Sequence, residues 1–266
     1  MFSGCETQVY VIEDFSHAIG GKYKNRLVGT IGHVGIASCM GEKPFSLPEG
    51  GVLCTNDQTL YERCCAFGHY RYLECREDGE VKPGKVSNEA LLRFSGAPIG
   101  GVKNRMNPIS AAIGIERLKR FTDQVEETDA AINYFQDLLE DSRYFVGHRT
   151  HDLNSNMGGW YEPRVFVKDD RARDIANTIS SAGYRCHFGH KYYCLANHIM
   201  PYADFIRHQL SDQEIQDIYQ QVKSTHFSGI DQTSKTLVSI PRFSVFARNV
   251  IEKYASLYIR SARSLD

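Results

Sequence analysis

The sequence predicts an α/β fold with a mostly parallel sheet, followed by a smaller C-terminal α+β unit. In the first hundred residues, short apolar runs alternate with a helical pattern, as in proteins with buried parallel strands. Apolar residues then recur at spacings of three and four, which predicts one long helix over 108–140. Beyond that helix, shorter strand and helix patterns continue almost to the last residue.

The first part of the chain contains three runs typical of buried strands: 8–14 (QVYVIED), 34–38 (VGIAS) and 51–55 (GVLCT). Asp57 is expected to cap a helix that continues to Phe67. The segment 76–101 is rich in Glu, Lys, Gly and Pro, which predicts a long loop with a functional role.

The second part begins with the long helix, whose first turn accommodates Pro108. After it, the pattern predicts strands over 160–167 and 237–240, helices over 171–182 and 211–225, and a closing helix to about residue 262. We therefore expect three parts, with limits at 1–107, 108–140 and 141–266. The middle part is an interdomain helix, and the last is a small C-terminal domain.

Composition excludes several functions. The 266 residues carry 31 Lys plus Arg and 32 Asp plus Glu, a net charge of −1, so a general nucleic-acid-binding role is disfavoured. No apolar run approaches the roughly 20 residues of a membrane helix, and no export signal opens the chain. The eight cysteines are then expected to be reduced thiols. These features predict a soluble cytoplasmic protein without a membrane or nucleic-acid partner.

Two residues of the first part suggest chemistry. Asp14 follows an apolar strand, at the end where open α/β sheets bind ligands, and a carboxylate there calls for a cation such as a protonated pyridine nitrogen. The alternative is a solvated strand end. Lys43 lies in a turn, where a partly desolvated lysine can attack an aldehyde, although most loop lysines are surface charges. Ser38, just before this turn, could bind a phosphate.

Two other motifs are weaker. The stretch CHFGHKYYC (186–194) has the residue types of a zinc site, but its spacing fits no zinc pattern well, and we expect no metal. Gly29, Gly32 and Gly35 have the wrong spacing for a dinucleotide fingerprint and precede a strand. Their expected role is to permit tight turns.

The block VIEDFSHAIGGKYKNRLVGTIGHVGIASCMGEKPFSLPEGGVLCTND closely resembles the core block of the DegT/DnrJ/EryC1/StrS family of sugar aminotransferases, which use pyridoxal 5'-phosphate (PLP). The resemblance continues into GGVKNRMNPISAAIGIERL and, less sharply, into SIPRF, so that it covers nearly the whole chain from Val9. It implies a fold-type I PLP protein in which 1–107 is the remainder of the PLP-binding large domain.

The resemblance also implies roles for the catalytic residues. Lys43 matches the Schiff-base lysine, which also shuttles a proton between the substrate and the cofactor. Asp14 matches the carboxylate that pairs with the pyridinium nitrogen, and His17 matches the residue beside the ring.

The remaining implied roles concern phosphate and substrate. Ser38 matches the serine that contacts the phosphate, and Lys103 stands where an asparagine usually reaches the phosphate across a dimer interface. Arg105 matches the arginine that binds the amino-donor carboxylate. His187 falls in the substrate loop.

The implied reaction transfers an amino group from glutamate or glutamine to a keto-sugar nucleotide or a related cyclic ketone, in sugar or secondary-metabolite biosynthesis such as that of antibiotics. Family members normally carry an N-terminal segment before the first strand seen here, which contributes a phosphate-binding turn and a residue that stacks on the ring. We expect a homo-oligomer, or a hetero-oligomer in which another chain supplies that segment. Two alternatives are a non-catalytic subunit of an aminotransferase complex and a PLP-dependent sugar dehydratase.

Overall fold

The computed structural model describes residues 9–68, 74–77, 80–83, 104–189, 210–224 and 228–266. The chain divides into two compact units. The first comprises the chain up to Asp129 together with Thr150–Tyr161, and the second comprises Ala130–Arg149 and Glu162–Asp266. The division falls within the long helix, and the domain limits at 107 and 140 stay predictions.

The elements of the chain up to residue 140 are β1 (Ile12–Asp14), β2 (Lys22–Tyr23), β3 (Arg26–Leu27), β4 (Val34–Ser38), β5 (Gly51–Cys54), α1 (Gln58–Gly68), β6 (Glu74–Glu77), β7 (Glu80–Pro83) and α2 (Pro108–Glu140). They are followed by β8 (Phe145–Gly147), β9 (Arg164–Val167), α3 (Ala172–Ser181), α4 (Asp212–Ser224), α5 (Ser228–Thr236), β10 (Leu237–Ser239) and α6 (Arg248–Arg263). In the described part of the chain, no helix combines the length and the apolar character that a bilayer crossing requires.

The first unit contains a three-stranded sheet with the order β1-β4-β5. Strand β1 pairs with β4 in parallel, with Asp14 opposite Ile36, and β4 pairs with β5 in the antiparallel direction. The predicted strands over 34–38 and 51–55 are thereby confirmed, the latter ending at Cys54. Because β1 and β4 are parallel, their carboxyl ends meet at one edge of the sheet.

The expected burial of the first strand was wrong. Val9, Tyr10, Val11 and Ile12 are between 50% and 78% exposed, and β1 itself begins only at Ile12. The described residues place no second layer over these side chains. An apolar run of this kind is predicted to be buried because burial removes apolar surface from water. Here the described residues leave these side chains exposed.

The connection between β4 and β5 is anchored in the core of the first unit. Cys39, Phe45 and Leu47 are at most 8% exposed and cluster with Ile19 and Ala37. The N–H of Leu47 donates to the carbonyl of Cys39 at 2.6 Å, so the loop folds back on itself. Buried side chains at both ends of the loop restrict the residues between them.

Two predictions around α1 have different outcomes. Asp57 caps the helix as predicted, since its Oδ1 accepts a hydrogen bond from the N–H of Leu60 at 3.0 Å.

Strands β6 and β7 form an antiparallel hairpin in a segment that was expected to be a loop. The overlooked signal is the dipeptide Asp78-Gly79, which favours two-residue hairpin turns. The rest of 76–101 lies outside the described residues.

The long helix is confirmed as α2, with 33 residues. On its first half, the ring of Phe121 meets that of Phe45 edge to face, at 5.0 Å between centroids. On its second half, Ile132, Phe135 and Leu139 are fully buried. The spacing of three and four therefore marks the buried face along the second half of the helix, whereas Ile109 and Leu118 of the first half are exposed.

The second unit contains an antiparallel sheet with the order β10-β9-β8. Its predicted strand over 160–167 begins only at Arg164, because Trp160 and Glu162 adopt left-handed backbone angles, with φ of 51° and 45°. The predicted helices over 171–182 and 211–225 and the closing helix are confirmed within one or two residues as α3, α4 and α6. Strand β8 and helix α5 were not predicted.

Glu13 holds the glycine-rich loop that precedes β4. Its carboxylate accepts backbone hydrogen bonds from Gly29 at 2.8 Å, from Ile31 at 2.6 Å and from Gly32. Gly29 has a φ of +85°, and a Cβ at Gly35 would lie 2.1 Å from the carbonyl oxygen of Gly29. The glycines thus permit a tight turn and a close backbone approach, as predicted. Burial raises the pKa of Glu13, but the three N–H groups outweigh it and hold the pKa below its usual value.

Replacing Glu13 with Gln is predicted to lower the free energy of unfolding at pH 7 by about 1–2 kcal/mol, because the charged acceptor of three N–H groups is lost. A lowered folded pKa means that the ionised carboxylate stabilises the fold above the unfolded pKa of about 4.3, and that this contribution disappears as the pH falls. Urea unfolding at pH 7 and at pH 3 measures both effects. The two proteins should differ less at pH 3.

The matched control is Glu126→Gln, which removes an exposed carboxylate from α2. Equal stability of wild type and Glu13→Gln at pH 7, or an equal loss in Glu126→Gln, would contradict this role.

Candidate functional site

The candidate site begins where the parallel strands end. Asp14 is the last residue of β1, and Ser38 is the last residue of β4. The pairing continues one residue further, since the N–H of Phe15 donates to the carbonyl of Ile36 at 2.9 Å. The two predicted residues are therefore brought to the same edge of the sheet, the place where open α/β sheets bind ligands.

Ser16 joins these two strand ends. Its hydroxyl donates to Asp14 Oδ1 at 2.6 Å and accepts a hydrogen bond from the N–H of Ser38 at 2.8 Å. The backbone N–H of Ser16 also donates to Asp14 Oδ1, at 3.0 Å. Ser16 is buried and was missed by sequence reasoning. The signal that could have found it is Asp-x-Ser at a strand end, where an Asp side chain bonds the backbone two residues on.

Asp14 is an exposed carboxylate, which corrects the expectation of a buried one. The Ser16 hydroxyl and then the Ser16 N–H lower its pKa, with His17 and Lys43 adding smaller electrostatic effects. The group is therefore ionised at neutral pH. Among the described residues, both hydrogen bonds go to Oδ1, which leaves Oδ2 available to a cationic N–H donor.

Lys43 is half-buried in the anchored loop between β4 and β5. Its backbone N–H donates to the carbonyl of Met40 at 2.8 Å, which closes a turn. Its side-chain nitrogen lies 4.2 Å from the centroid of the Tyr161 ring. Lys43 also lowers the pKa of Asp14 slightly, as a positive charge in the neighbourhood does.

His17 is the third predicted residue of this site. Its ring lies on the Tyr161 ring, with centroids 4.1 Å apart and planes inclined at 32°. Tyr161 thus contacts both His17 and Lys43. Sequence reasoning placed Tyr161 in a strand and gave it no role, and no local pattern could have found a residue so far along the chain.

The other predicted residues are placed differently. Arg105 is exposed in the segment before α2, and Lys103 lies outside the described residues. His187 belongs to the second unit, where its N–H donates to Ser239 Oγ at 2.8 Å and its Nε2 accepts from Arg185 at 3.3 Å. The roles of these residues stay predictions.

The cysteine and histidine stretch over 186–194 is described only in part. Cys186 is buried, and its sulfur lies 3.6 Å from the hydroxyl of Tyr258 and 3.5 Å from the carbonyl of Ser239. Burial raises the pKa of its thiol, so Cys186 is a packed neutral group. His190 and Cys194 lie outside the described residues.

The chemistry of the site fits PLP. An ionised carboxylate suits a protonated ring nitrogen, a lysine amine suits an aldehyde, and the hydroxyl of Ser38 suits a phosphate oxygen. The anchored loop and the paired strand ends fix the backbone of all three residues.

The sequence matches the DegT/DnrJ/EryC1/StrS aminotransferase family over residues 4–232. It is 36% identical to GDP-perosamine synthase of Escherichia coli O157:H7 over 115 residues, which are 43% of this chain and 27% of that protein. It is 22% identical to GDP-4-keto-6-deoxy-D-mannose 3-dehydratase of Escherichia coli O55:H7 over 183 residues, which are 67% of this chain and 46% of the relative.

Solved structures share the fold. The Helicobacter pylori aminotransferase PseC, involved in the biosynthesis of pseudoaminic acid, aligns with a TM-score of 0.67 at 18% identity over 96% of this chain and 60% of its own. An E. coli GDP-4-keto-6-deoxy-D-mannose-3-dehydratase with bound hydrated PLP aligns with a TM-score of 0.64 at 18% identity, over 94% and 60%.

The chain spans about three-fifths of these solved relatives and less than half of the two curated ones. The family match covers most of the chain, and the fold-type I architecture expected from the sequence blocks is confirmed. The chain therefore belongs to the DegT/DnrJ/EryC1/StrS aminotransferase family.

Proposed function

We propose that this chain is the catalytic part of a PLP-dependent sugar aminotransferase. The observation that carries the proposal is that Asp14 and Ser38 end two neighbouring parallel strands, with Lys43 in the anchored loop that follows Ser38. PLP, when bound, supplies an electron sink for the carbanion that forms at the carbon bearing the amino group. The amino donor is glutamate or glutamine, and the acceptor is a keto-sugar nucleotide or a related cyclic ketone.

Asp14 and Lys43 have different proposed roles because their charges are opposite. The carboxylate of Asp14, ionised because Ser16 donates two hydrogen bonds to it, holds a proton on the ring nitrogen. The amine of Lys43 would hold the cofactor covalently and, when free, would move the proton that leaves the substrate carbon. His17 would lie beside the pyridine ring of bound PLP. The rigid loop around Lys43 keeps the amine within reach of its target.

Substrate contacts extend the proposal to residues with untested roles. Ser38 and Lys103 bind the cofactor phosphate, and Arg105 binds the carboxylate of the amino donor through its planar pair of N–H groups. His187 contributes to the acceptor site. We also propose that PLP is held by the part up to residue 107, that 108–140 is the interdomain helix, and that the enzyme works in the cytoplasm.

A dehydratase reaction is the second candidate, because a relative named as a sugar 3-dehydratase matches two-thirds of the chain. Both reactions begin with proton removal. The lysine at position 43 favours amino transfer, since its amine can move the proton that transamination requires. Product analysis with glutamate as donor separates the two, because an amino sugar forms only in the transfer reaction.

Addition of PLP is predicted to produce the absorbance band of the covalently bound cofactor in the wild type, and Lys43→Ala is predicted to abolish it, because Lys43 is the amine proposed to form the covalent bond. The protein is titrated with PLP and the absorbance is recorded. Dialysis against buffer then shows whether the cofactor stays bound. Lys119→Ala removes an exposed lysine on α2 and serves as the matched control, which should keep the band.

Identical spectra for wild type and Lys43→Ala would reject the proposal. The alternative of a non-catalytic subunit makes a different prediction, namely that Lys43→Ala leaves the activity of an assembled complex intact.

An exposed apolar surface supports the proposal that further polypeptide completes the site. Val9, Tyr10, Val11 and Ile12 are exposed beside the sheet, and Ile109, Ile115 and Leu118 on α2 are 60–70% exposed. About two-fifths of each solved relative has no counterpart in this chain. We propose that the polypeptide covering these residues carries a phosphate-binding turn, and that it belongs to the same protein or to a partner in an oligomer.

The chain on its own is therefore predicted to associate, because exposed apolar side chains on both β1 and α2 are unfavourable in water. Size-exclusion chromatography with light scattering at several concentrations measures this. We expect a mass of at least twice 30.2 kDa. Ile12→Lys combined with Leu118→Lys should shift the population towards monomer, and a monomeric wild type would contradict the prediction.

A further inference from the structure

Tyr161 contacts two members of the candidate site at once. Its ring lies 4.2 Å from the Lys43 side-chain nitrogen and 4.1 Å from the His17 ring centroid. We propose that Tyr161 is a positioning residue, whose ring attracts the Lys43 ammonium and orients His17, so that the lysine side chain is held in one place before the ammonium gives up its proton and the neutral amine reacts. Only the catalytic consequence rests on the proposed function, since the contacts are made by the chain alone.

The loop that presents Tyr161 is fixed by its own contacts. Trp160 is 3% exposed, and its Nε1 donates to Asp129 Oδ1 at 2.7 Å. Trp160 and Glu162 both have left-handed φ values, and such conformations persist only where the surroundings hold them. Tyr161 therefore stands between two residues whose backbone is constrained.

The same loop packs against the neighbours of both contacted residues. The N–H of Gly159 donates to the carbonyl of Ile19 at 3.1 Å, two residues after His17. A Cβ at Gly159 would lie 2.5 Å from the Cβ of Pro44, the residue that follows Lys43. Because Gly159 has no side chain, the loop can lie close to Pro44, and this places Tyr161 next to both His17 and Lys43.

The physical effect is a restriction of a flexible side chain. A lysine has several rotatable bonds, and an aromatic face attracts its ammonium through the ring quadrupole. Leucine at position 161 would fill part of the space but offer no such attraction, whereas phenylalanine would keep it. The loss of an exposed contact of this kind lowers the population of the held conformer by about two- to fivefold.

The direct test uses the full chain without cofactor. Reductive methylation with ¹³C-formaldehyde labels the lysine amines, and the Lys43 signal is assigned by its disappearance in Lys43→Arg. In the wild type, the ring current of Tyr161 should displace this signal from those of exposed lysines. Tyr161→Phe should keep the displacement, and Tyr161→Leu should remove it.

Tyr23→Leu is the matched control, because Lys24 lies 5.3 Å from that ring centroid and the variant leaves the site untouched. It should not move the Lys43 signal. Circular dichroism confirms that each variant is folded. An unchanged Lys43 signal in folded Tyr161→Leu would overturn the proposal.

A second arm measures PLP affinity by titration. Tyr161→Leu should bind PLP about two- to fivefold more weakly, while Tyr161→Phe and Tyr23→Leu should match the wild type. Equal affinity in Tyr161→Leu and wild type would overturn the positioning role. If the wild type takes up no PLP, the proposed function fails, and the displacement of the Lys43 signal still decides whether Tyr161 holds the lysine.

Discussion

The parallel pairing of β1 with β4 is the constraint on which the candidate site depends. Parallel strands end at the same edge of a sheet, so the carboxylate of Asp14 and the hydroxyl of Ser38 come together although they are 24 positions apart. The buried Ser16 hydroxyl then binds both strand ends and holds the carboxylate in its ionised form. A shift of one residue in this register would turn these side chains to the opposite faces of the sheet.

The loop that carries Lys43 follows this end of the sheet and is anchored at both ends by buried side chains. Cys39 precedes the lysine, and Phe45 and Leu47 follow it, and all three are buried. These buried neighbours restrict the backbone around the lysine. Its side chain also contacts the ring of Tyr161. An acid with a lowered pKa and an amine held near it form a polar site on an apolar scaffold, which is the arrangement that an aldehyde-bearing aromatic cofactor needs.

The sequence predicted the parts of this arrangement that are encoded locally. The strands over 34–38 and 51–55, the Asp57 cap and the long helix follow from alternation, capping chemistry and periodicity. Ser16 and Tyr161 were missed because their roles depend on the tertiary fold, and Tyr161 lies more than a hundred residues from Lys43. The burial of the first strand was predicted wrongly, since an apolar run shows that cover is needed but does not show which residues supply it.

The state of the cofactor nitrogen tests the central claim most directly. PLP labelled with ¹⁵N in its ring can be added to the protein, and the nitrogen chemical shift distinguishes a protonated from a neutral ring. The account predicts a protonated nitrogen in the wild type and a neutral one in Asp14→Asn at the same pH, because only the ionised carboxylate holds the proton there. A neutral nitrogen in the wild type, or an unchanged shift in Asp14→Asn, would contradict the pairing of Asp14 with the cofactor.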